Sequence, residues 1–200
     1  MSAHQQSILS ATAAAASWIE RGYWVVPILL REKKPTIKDW PNLRITTNDL
    51  PKYFKGGAQN IGVLLADRYG STDVDLDCDE ALRVAREFLP ETGLIFGHKS
   101  KPSSHWFYRS DPPVRTRRFR DPLKPLDDKS GMLVELRGCK SDGTIGLQTV
   151  VPPSIHRGTG EPIEFDRGHD REAANIEAGV LLPAVARVAA AIKGTVRAAQ

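Results

Sequence analysis

The stretch STDVDLDCDE, residues 71–80, places three aspartates in strict alternation with apolar residues. A period of two predicts a β-strand whose apolar residues face a core and whose acids share the opposite face. Carboxylates two residues apart on one face lie roughly 6.5–7 Å from each other and repel. A hard divalent cation removes that repulsion, since such ions prefer oxygen ligands. The acids concerned are Asp73, Asp75 and Asp77.

Two other interpretations of these aspartates are possible. The spacing also opens an EF-hand loop, but that loop needs Gly at its sixth position and Glu at its twelfth. Cys78 and Val84 stand at those positions, so a calcium loop is excluded. A solvent-exposed edge strand whose charges prevent aggregation remains an alternative, and this stretch alone does not decide against it.

A fourth acid, Glu135, lies in the apolar stretch MLVELRG, residues 132–138. Arg137 shares its face of the predicted strand and offers a simple ion-pair partner. If this strand lies beside residues 72–77, however, Glu135 completes a site of three carboxylates. Such sites hold two metal ions about 3.5–4 Å apart and serve phosphoryl or nucleotidyl transfer.

Side chains that bind phosphate cluster in KSKPSSHWFY, residues 99–108. The stretch brings together two cations, a hydroxyl group and an imidazole. The alternative for the histidine is a structural role beside the aromatic residues that follow it. The residues concerned are Lys99, Lys101, Ser103 and His105.

A second polar group ends the stretch GLQTVVPPSIH, residues 146–156. Two prolines restrict the backbone there, so that Ser154 and His156 are presented rigidly. These side chains suit contacts to a base, a sugar or a phosphate. From the chemistry alone a plain turn is the favoured interpretation.

The 200 residues carry a net charge of +4, with basic clusters at 31–40, 97–106 and 115–120. This balance mildly favours an anionic partner.

We expect a cytoplasmic protein that does not engage a membrane, because no apolar run reaches the roughly 18 residues of a membrane span and no signal peptide is evident. Two cysteines are too few for a Cys₄ zinc site. The sequence has no Walker-A pattern, which argues against a P-loop motor.

The periodicity predicts an α+β chain with helices flanking a strand-rich middle. We expect the strands 60–66 and 72–77 to form a hairpin, Asp79 to cap the helix that follows, and residues 99–104 and 111–130 to be loops. The predicted helices are 5–21, 79–89 and one or two after 171, with a short one at 46–54. The predicted strands are 23–30, 60–66, 72–77, 93–98, 105–110, 132–138, 146–151 and 161–165.

Three motifs now stand in a recognisable order: DVDLDC at 73–78, SSHWFY at 103–108 and LVELRG at 133–138. This order resembles the bifunctional DNA primase/polymerase N-terminal (prim-pol) domain of the archaeo-eukaryotic primase superfamily, found in plasmid, phage and prophage replication proteins. The family's first motif is acid–x–acid at a strand end, its second is Ser-x-His and its third is an acid in an apolar strand. The similarity covers roughly residues 10–166.

The resemblance implies a primase–polymerase fold of two subdomains, one with a mixed or antiparallel sheet like that of an RNA-recognition motif, and an active-site cleft between them. Residues 1–168 would form the catalytic domain. Residues 169–200 would form a C-terminal helical extension, with a further domain beyond it in a longer protein. The implied activity is template-directed nucleotidyl transfer, as a DNA primase and DNA polymerase.

The resemblance also implies two Mg²⁺ or Mn²⁺ ions held by Asp75, Asp77 and Glu135. Asp73 would be a flanking acid, and a pair of Asp73 with Asp75 is the alternative. The implied partners are a DNA template with its primer, nucleoside triphosphates and a helicase domain or protein. The implied nucleotide-binding residues are Ser103, His105, Lys99, Lys101, Arg137, Ser154 and His156. The implied DNA-binding residues are Lys33, Lys34, Lys38, Arg115, Arg117, Arg118 and Arg120.

Two other functions use the same residues. A non-catalytic nucleic-acid-binding replication module would keep the fold without the reaction, and a metal-dependent nuclease would use the same acids. The chain lacks the cysteines of the zinc-binding elements that help some relatives to start primers. We therefore expect primer extension more firmly than priming without a primer.

Overall fold

The architecture is an α+β arrangement of antiparallel sheets with flanking helices, as the sequence predicts. The structure is a computed structural model, which describes residues 3–54 and 58–198. In this part of the chain the helices are α1 Ala3–Glu20, α2 Leu50–Tyr53, α3 Asp79–Phe88 and α4 Ala178–Ala198. The strands are β1 Val25–Leu29, β2 Gln59–Leu64, β3 Ser71–Leu76, β4 Leu94–His98, β5 Lys101–Arg109, β6 Arg117–Arg120, β7 Met132–Arg137, β8 Gln148–Val151, β9 Ile163–Asp170 and β10 Ala174–Asn175.

A small antiparallel sheet has the order β1-β2-β8. Strands β1 and β2 are almost wholly buried, whereas β8 alternates between half-buried and buried residues. Helix α1 lies against β1 and β2 and contributes Ala11, Ala15 and Trp18 to the shared core. The Trp18 indole donates a 2.9 Å hydrogen bond to the carbonyl of Pro152, which ties the helix to the turn after β8.

A larger sheet has the order β6-β7-β3-β5-β4-β9, with neighbouring strands antiparallel. The short β10 pairs in parallel with the last two residues of β5. Strand β4 does not extend that far along β5. Strand β3 therefore has two neighbours, β5 and β7. Strands that carry the three sequence motifs are thus adjacent.

The two faces of the large sheet bury different cores. Val74, Leu76 and Trp106 pack with α3 and α4 on one face. Phe96 and Phe107 pack on the other face with α1 and the small sheet. Because side chains alternate along a strand, the aspartates of β3 belong to the face that looks toward the small sheet.

The predicted hairpin of strands 60–66 and 72–77 is wrong. β2 pairs with β1 and β8, whereas β3 pairs with β5 and β7. Asp67 makes the turn between them by accepting bonds from Tyr69 N, Ser71 N and Ser71 Oγ. This turn directs the two strands into different sheets, which a pattern of local hydrophobicity does not reveal.

The predicted loop at residues 99–104 is also wrong. β5 already begins at Lys101, and only a tight turn joins it to β4. A Cβ at Gly97 would lie 2.4 Å from the Lys101 carbonyl oxygen, so the strands approach too closely there for any side chain. Ser103 has φ of 52° within β5, which breaks the regular alternation of the strand.

Residues 111–130 are not a loop throughout, because β6 occupies Arg117–Arg120 and pairs with β7. Asp79 is the first residue of α3 rather than its cap; Cys78 holds the capping position, without a side-chain hydrogen bond. Strand β9 runs to Asp170 and so crosses residue 168, the predicted domain boundary. Residues 1–2 and 199–200 of the two predicted domains lie outside the described part of the chain.

Helix α4 packs its apolar side chains against α3 and the large sheet. Within residues 3–54 and 58–198, no helix has the length and apolar character needed to cross a membrane.

Candidate functional site

A cavity of about 550 Å³ opens between the large sheet and the small sheet. Its walls come from β3, β4, β5 and β7 on one side and from β8 on the other, with two loops at its mouth. Eight of the predicted site residues line it together. They are Lys33, Asp75, Asp77, Lys101, His105, Glu135, Arg137 and His156.

Three carboxylates converge on one wall of this cavity. Asp75 on β3 is the direct register partner of Glu135 on β7. Asp77 follows β3, where its backbone N–H donates to the Leu133 carbonyl at 2.9 Å. The side chains of Asp75, Asp77 and Glu135 are 21%, 29% and 16% exposed, so a ligand in the cavity can reach all three.

Cations surround these carboxylates. Arg137 Nε lies 3.6 Å from Glu135 Oε2, and Arg137 Nη1 lies 4.0 Å from Asp75 Oδ2. Lys101 Nζ lies 4.0 Å from Asp77 Oδ1. From the neighbouring edge strand, Arg118 Nε donates to Glu135 Oε1 at 2.8 Å. The ion pair of Glu135 with Arg137, an alternative considered from the sequence, therefore does form, in addition to the clustering of the acids.

Asp77 holds its proton more tightly than an ordinary aspartate. Burial and then repulsion by Asp75 raise its pKa to about 6, against the opposing effect of Lys101. The acid therefore loses its proton most readily when a positive charge arrives beside it.

Asp73 differs from its neighbours, because it is fully buried beneath the cavity wall. Its carboxylate faces His105 Nδ1 at 3.1 Å and accepts from Arg137 Nη1 at 3.0 Å and from Thr149 Oγ1 at 2.6 Å. Burial raises the pKa of Asp73, but His105 and Arg137 more than offset it and leave the pKa below its usual value. Asp73 is thus a buried carboxylate that holds the side chains of His105 and Arg137 in position.

The same contacts set the charges of His105 and Arg137. Burial lowers the pKa of His105, while Asp73 and Asp75 more than restore it, so the pKa is raised. The pKa of Arg137 is raised in the same way, mainly by Asp73 once burial is overcome. Arg137 also donates to Thr149 Oγ1 at 2.8 Å and to the Gln148 carbonyl at 2.7 Å. It therefore links the two sheets across the cavity.

The carboxylates fit a divalent metal ion by their chemistry. Asp75, Asp77 and Glu135 supply hard oxygen donors, and burial followed by repulsion from Asp75 raises the pKa of Asp77, so a cation beside it would favour its ionised form. Across residues 3–54 and 58–198, however, no group of three or more His, Cys, Asp and Glu side chains is already gathered closely enough to hold an ion. Nearby cations balance the acids instead, so metal ions would have to compete with Arg118, Lys101 and Arg137.

Several predicted nucleotide-binding residues lie elsewhere. The Ser103 hydroxyl donates to Asp166, and its neighbour Ser104 lines the cavity instead. The positive φ of Ser103 explains why Ser103 and His105 do not share a face of β5. Ser154 is buried; its hydroxyl accepts from the backbone N–H of Ile61 at 2.9 Å. Lys99 is absent from the cavity wall.

Most of the predicted DNA-binding residues also lie outside the cavity. Lys33 lines it, whereas Lys34 and Lys38 on the same loop are exposed beyond it. Arg118 reaches Glu135 from the edge strand β6. The Arg120 guanidinium donates to the Asp128 carbonyl at 2.6 Å. Arg115 precedes β6, and Arg117 is the first residue of that strand.

The sequence interpretation missed several cavity residues. His98 ends β4, and its ring stacks on that of His156 with centroids 4.1 Å apart. Its position within the basic cluster at 97–106 was the available signal, but a single histidine at a strand end is usually structural. The others are Glu32, Asp79, Ser100, Ser104, Thr149 and Arg157.

The comparisons with known proteins agree with the resemblance seen in the motifs. The family described as "Bifunctional DNA primase/polymerase, N-terminal" matches residues 15–178. This match spans the cavity, both sheets and the beginning of α4. A search of the curated proteins finds none that matches the chain.

Proposed function

Since the chain belongs to the family of bifunctional DNA primase/polymerase N-terminal domains, we propose that it is a template-directed nucleotidyl transferase that acts in plasmid, phage or prophage replication. One observation carries this proposal: Asp75 and Asp77, together with Glu135 from a distant part of the sequence, line one cavity with a rim of cations. That combination suits a reaction in which an anionic nucleotide meets metal ions.

The same carboxylates are proposed to hold two Mg²⁺ or Mn²⁺ ions. Metal ions at such a site lower the pKa of a primer hydroxyl and neutralise the charge of a triphosphate. Asp75 and Asp77, rather than Asp73, suit this role because they reach the cavity. The carboxylate oxygens of Asp73 already contact His105, Arg137 and Thr149.

The chain's own residues would prepare the nucleotide in three ways. His105 and Arg137, held by Asp73, present fixed donors to a phosphate. Lys101 lies 4.0 Å from Asp77. If Asp77 binds a metal ion, the ammonium group of Lys101 can contact a phosphate instead. Ser104 is also a candidate donor, since its buried hydroxyl oxygen has no hydrogen-bond partner among the described residues.

The wider architecture is proposed to follow the family. The two sheets would correspond to its two subdomains, with the cavity as the cleft. The basic edge strand β6 and the loop at 31–38 would meet template phosphates, through residues such as Arg117 and Lys38. A helicase domain or protein is a further proposed partner.

A primed DNA template incubated with the chain, nucleotides and Mn²⁺ tests the proposal. Extension of the primer supports nucleotidyl transfer. Shortening of the strand would support the nuclease alternative instead. A gel shift with neither change would contradict the proposal and support a non-catalytic DNA-binding module.

One observation favours that last alternative over the nuclease. Glu135 is paired with Arg118 at 2.8 Å and with Arg137 at 3.6 Å, so a metal ion would have to displace both cations. In a non-catalytic module these pairs would persist in saturating Mn²⁺.

A further inference from the structure

The cavity has a second region, two strands away from the aspartates. In the large sheet β4 follows β5, which follows β3. Neighbouring strands lie about 4.8 Å apart, so His98 on β4 stands roughly 10 Å from the strand of Asp75. His98 faces His156 from the turn after β8, with ring planes 11° apart.

Each histidine ring is held by a contact at its Nδ1 atom. His98 Nδ1 lies 2.6 Å from Glu161 Oε2. His156 Nδ1 accepts from the backbone N–H of Thr159 at 3.3 Å. In each ring the Nε2 atom is the one left for a ligand. A neutral His156 then carries its proton on Nε2 and donates from it.

Two permanently charged side chains, Lys33 and Arg157, line the cavity together with these rings. Lys33 is brought to the cavity because Gln148 Nε2 donates to its carbonyl oxygen at 2.6 Å. Arg157 follows His156 directly and also lines the cavity. Burial and then repulsion by His98 and Lys33 lower the pKa of His156, which records how closely these basic groups are packed.

The two carboxylates of this region are already engaged. Glu161 accepts from the backbone N–H of Ser100 at 3.0 Å, and also from the Ser100 hydroxyl. Those contacts and the bond from His98 lower its pKa to about 2. Glu32 pairs with Arg157 at 3.6 Å. Hydrogen-bond donors and cations are therefore what this region offers a ligand.

A ligand that fills the cavity must be elongated, with its reacting atom at the carboxylates and a strongly anionic end among the basic groups. A nucleoside triphosphate has this form. We infer that Lys33, His98, His156 and Arg157 bind the outer phosphates of the incoming nucleotide, an inference that rests on the proposed function. Lys33 then contacts the nucleotide rather than the template. Its role therefore differs from that proposed for its neighbour Lys34.

The test measures binding of dAMP, dADP and dATP by calorimetry in Mn²⁺, without turnover. Lys33→Ala and His156→Ala should each weaken the binding of dATP by about tenfold. This is the effect of losing one hydrogen bond to a charged group. Binding of dAMP should stay within about twofold, since it has no outer phosphates. Lys129→Ala and His169→Ala are matched controls outside the cavity, and both should bind dATP like the wild type.

Phosphates of a DNA backbone would use the same donors, so binding of a primed duplex is measured in parallel. The inference is overturned if Lys33→Ala or His156→Ala weakens duplex binding while dATP binding is unchanged. It is equally overturned if dAMP and dATP lose affinity alike, or if the wild type binds no dATP. If the expected pattern holds but primers are not extended, the inference stands and only the proposed reaction falls.

The exposed Lys33 and the half-buried His156 carry this test, because their loss should leave the fold intact. His98 is 10% exposed and serves as a supplementary position. His98→Gln keeps a donor near the position of Nε2 and should retain more dATP affinity than His98→Ala. Equal losses in the two variants would contradict a direct contact from Nε2.

Discussion

Asp73 and Asp75 are two positions apart on one strand, yet only Asp75 reaches water. The difference comes from their neighbours on other strands: Asp73 lies opposite Phe107 and Arg137 in register, where β8 closes over it. Asp75 lies opposite His105 and Glu135, at the cavity. At the scale of residues, similar side chains acquire different roles through the strands beside them.

Asp73→Asn should lower the free energy of unfolding by about 3 kcal/mol or more. The substitution leaves the charges of His105 and Arg137 without their buried partner, and breaking a buried ion pair is strongly destabilising. Asp75→Asn, at a partly exposed position, should change stability by less than about 1 kcal/mol. Urea denaturation followed by circular dichroism compares the two, and equal losses would contradict a special structural role for Asp73.

Asp77→Asn should have the opposite effect on stability in metal-free protein. The pKa of Asp77 is raised from 3.8 to about 6, so the folded state holds the proton more tightly than the unfolded state. Its favourable contribution is present at low pH and is lost as the pH rises through about 4 to 6. Asparagine does not ionise, so the variant should gain about 3 kcal/mol over wild type at pH 8 and little at pH 4.

Thermal or urea unfolding at a series of pH values, in the presence of a chelator, measures this difference. A constant difference between variant and wild type across the series would show that Asp77 has an ordinary pKa. The expected gain would also mean that the native acid is kept at a cost in stability, as at many functional sites.

At the scale of elements, the hairpin of β4 and β5 determines where Lys101 and His105 lie. The register between these strands shifts between Phe96 and His98, and the strands come close at Gly97. Ser103 compensates with a positive φ, which turns Ser104 toward the cavity. An irregular hairpin therefore positions this part of the site.

Gly97→Ala should destabilise the protein by about 1–3 kcal/mol, because its Cβ would meet backbone atoms that have no room to move. Gly179→Ala on α4 is the matched control, since a Cβ there meets no atom within 4 Å. That variant should stay within about 0.5 kcal/mol of wild type. Thermal unfolding of both proteins compares them, and an unaffected Gly97→Ala would contradict the close approach of the strands.

The positions of most strands and of α3 could be predicted from local alternation and helical period. Their partners could not, since pairing depends on turns and distant contacts. The strand 72–77 was expected beside residues 60–66, but the turn at Asp67 separates them. The clustering of Asp75, Asp77 and Glu135 was a conditional expectation that the register now satisfies. His98 was missed because its partners, His156 and Glu161, are distant in sequence.

At the scale of the whole molecule, two sheets enclose one cavity with unlike ends. Carboxylates from β3 and β7 occupy one end, and basic groups from β4 and two loops occupy the other. Arg137 joins the sheets across it through Thr149 and the Gln148 carbonyl. The net charge of +4 is compatible with an anionic substrate, but this internal division of charge is more informative about the reaction.

The central claim is that the carboxylate end transfers nucleotides with the help of metal ions. The rate of primer extension by Asp77→Ala, relative to wild type, tests this claim most directly. Asp170→Asn, an exposed acid on β9, is the control, and duplex binding is measured for every protein. We predict that Asp77→Ala and chelator-treated wild type lose extension while DNA binding persists and Asp170→Asn stays active. Extension by Asp77→Ala at the wild-type rate would contradict the account.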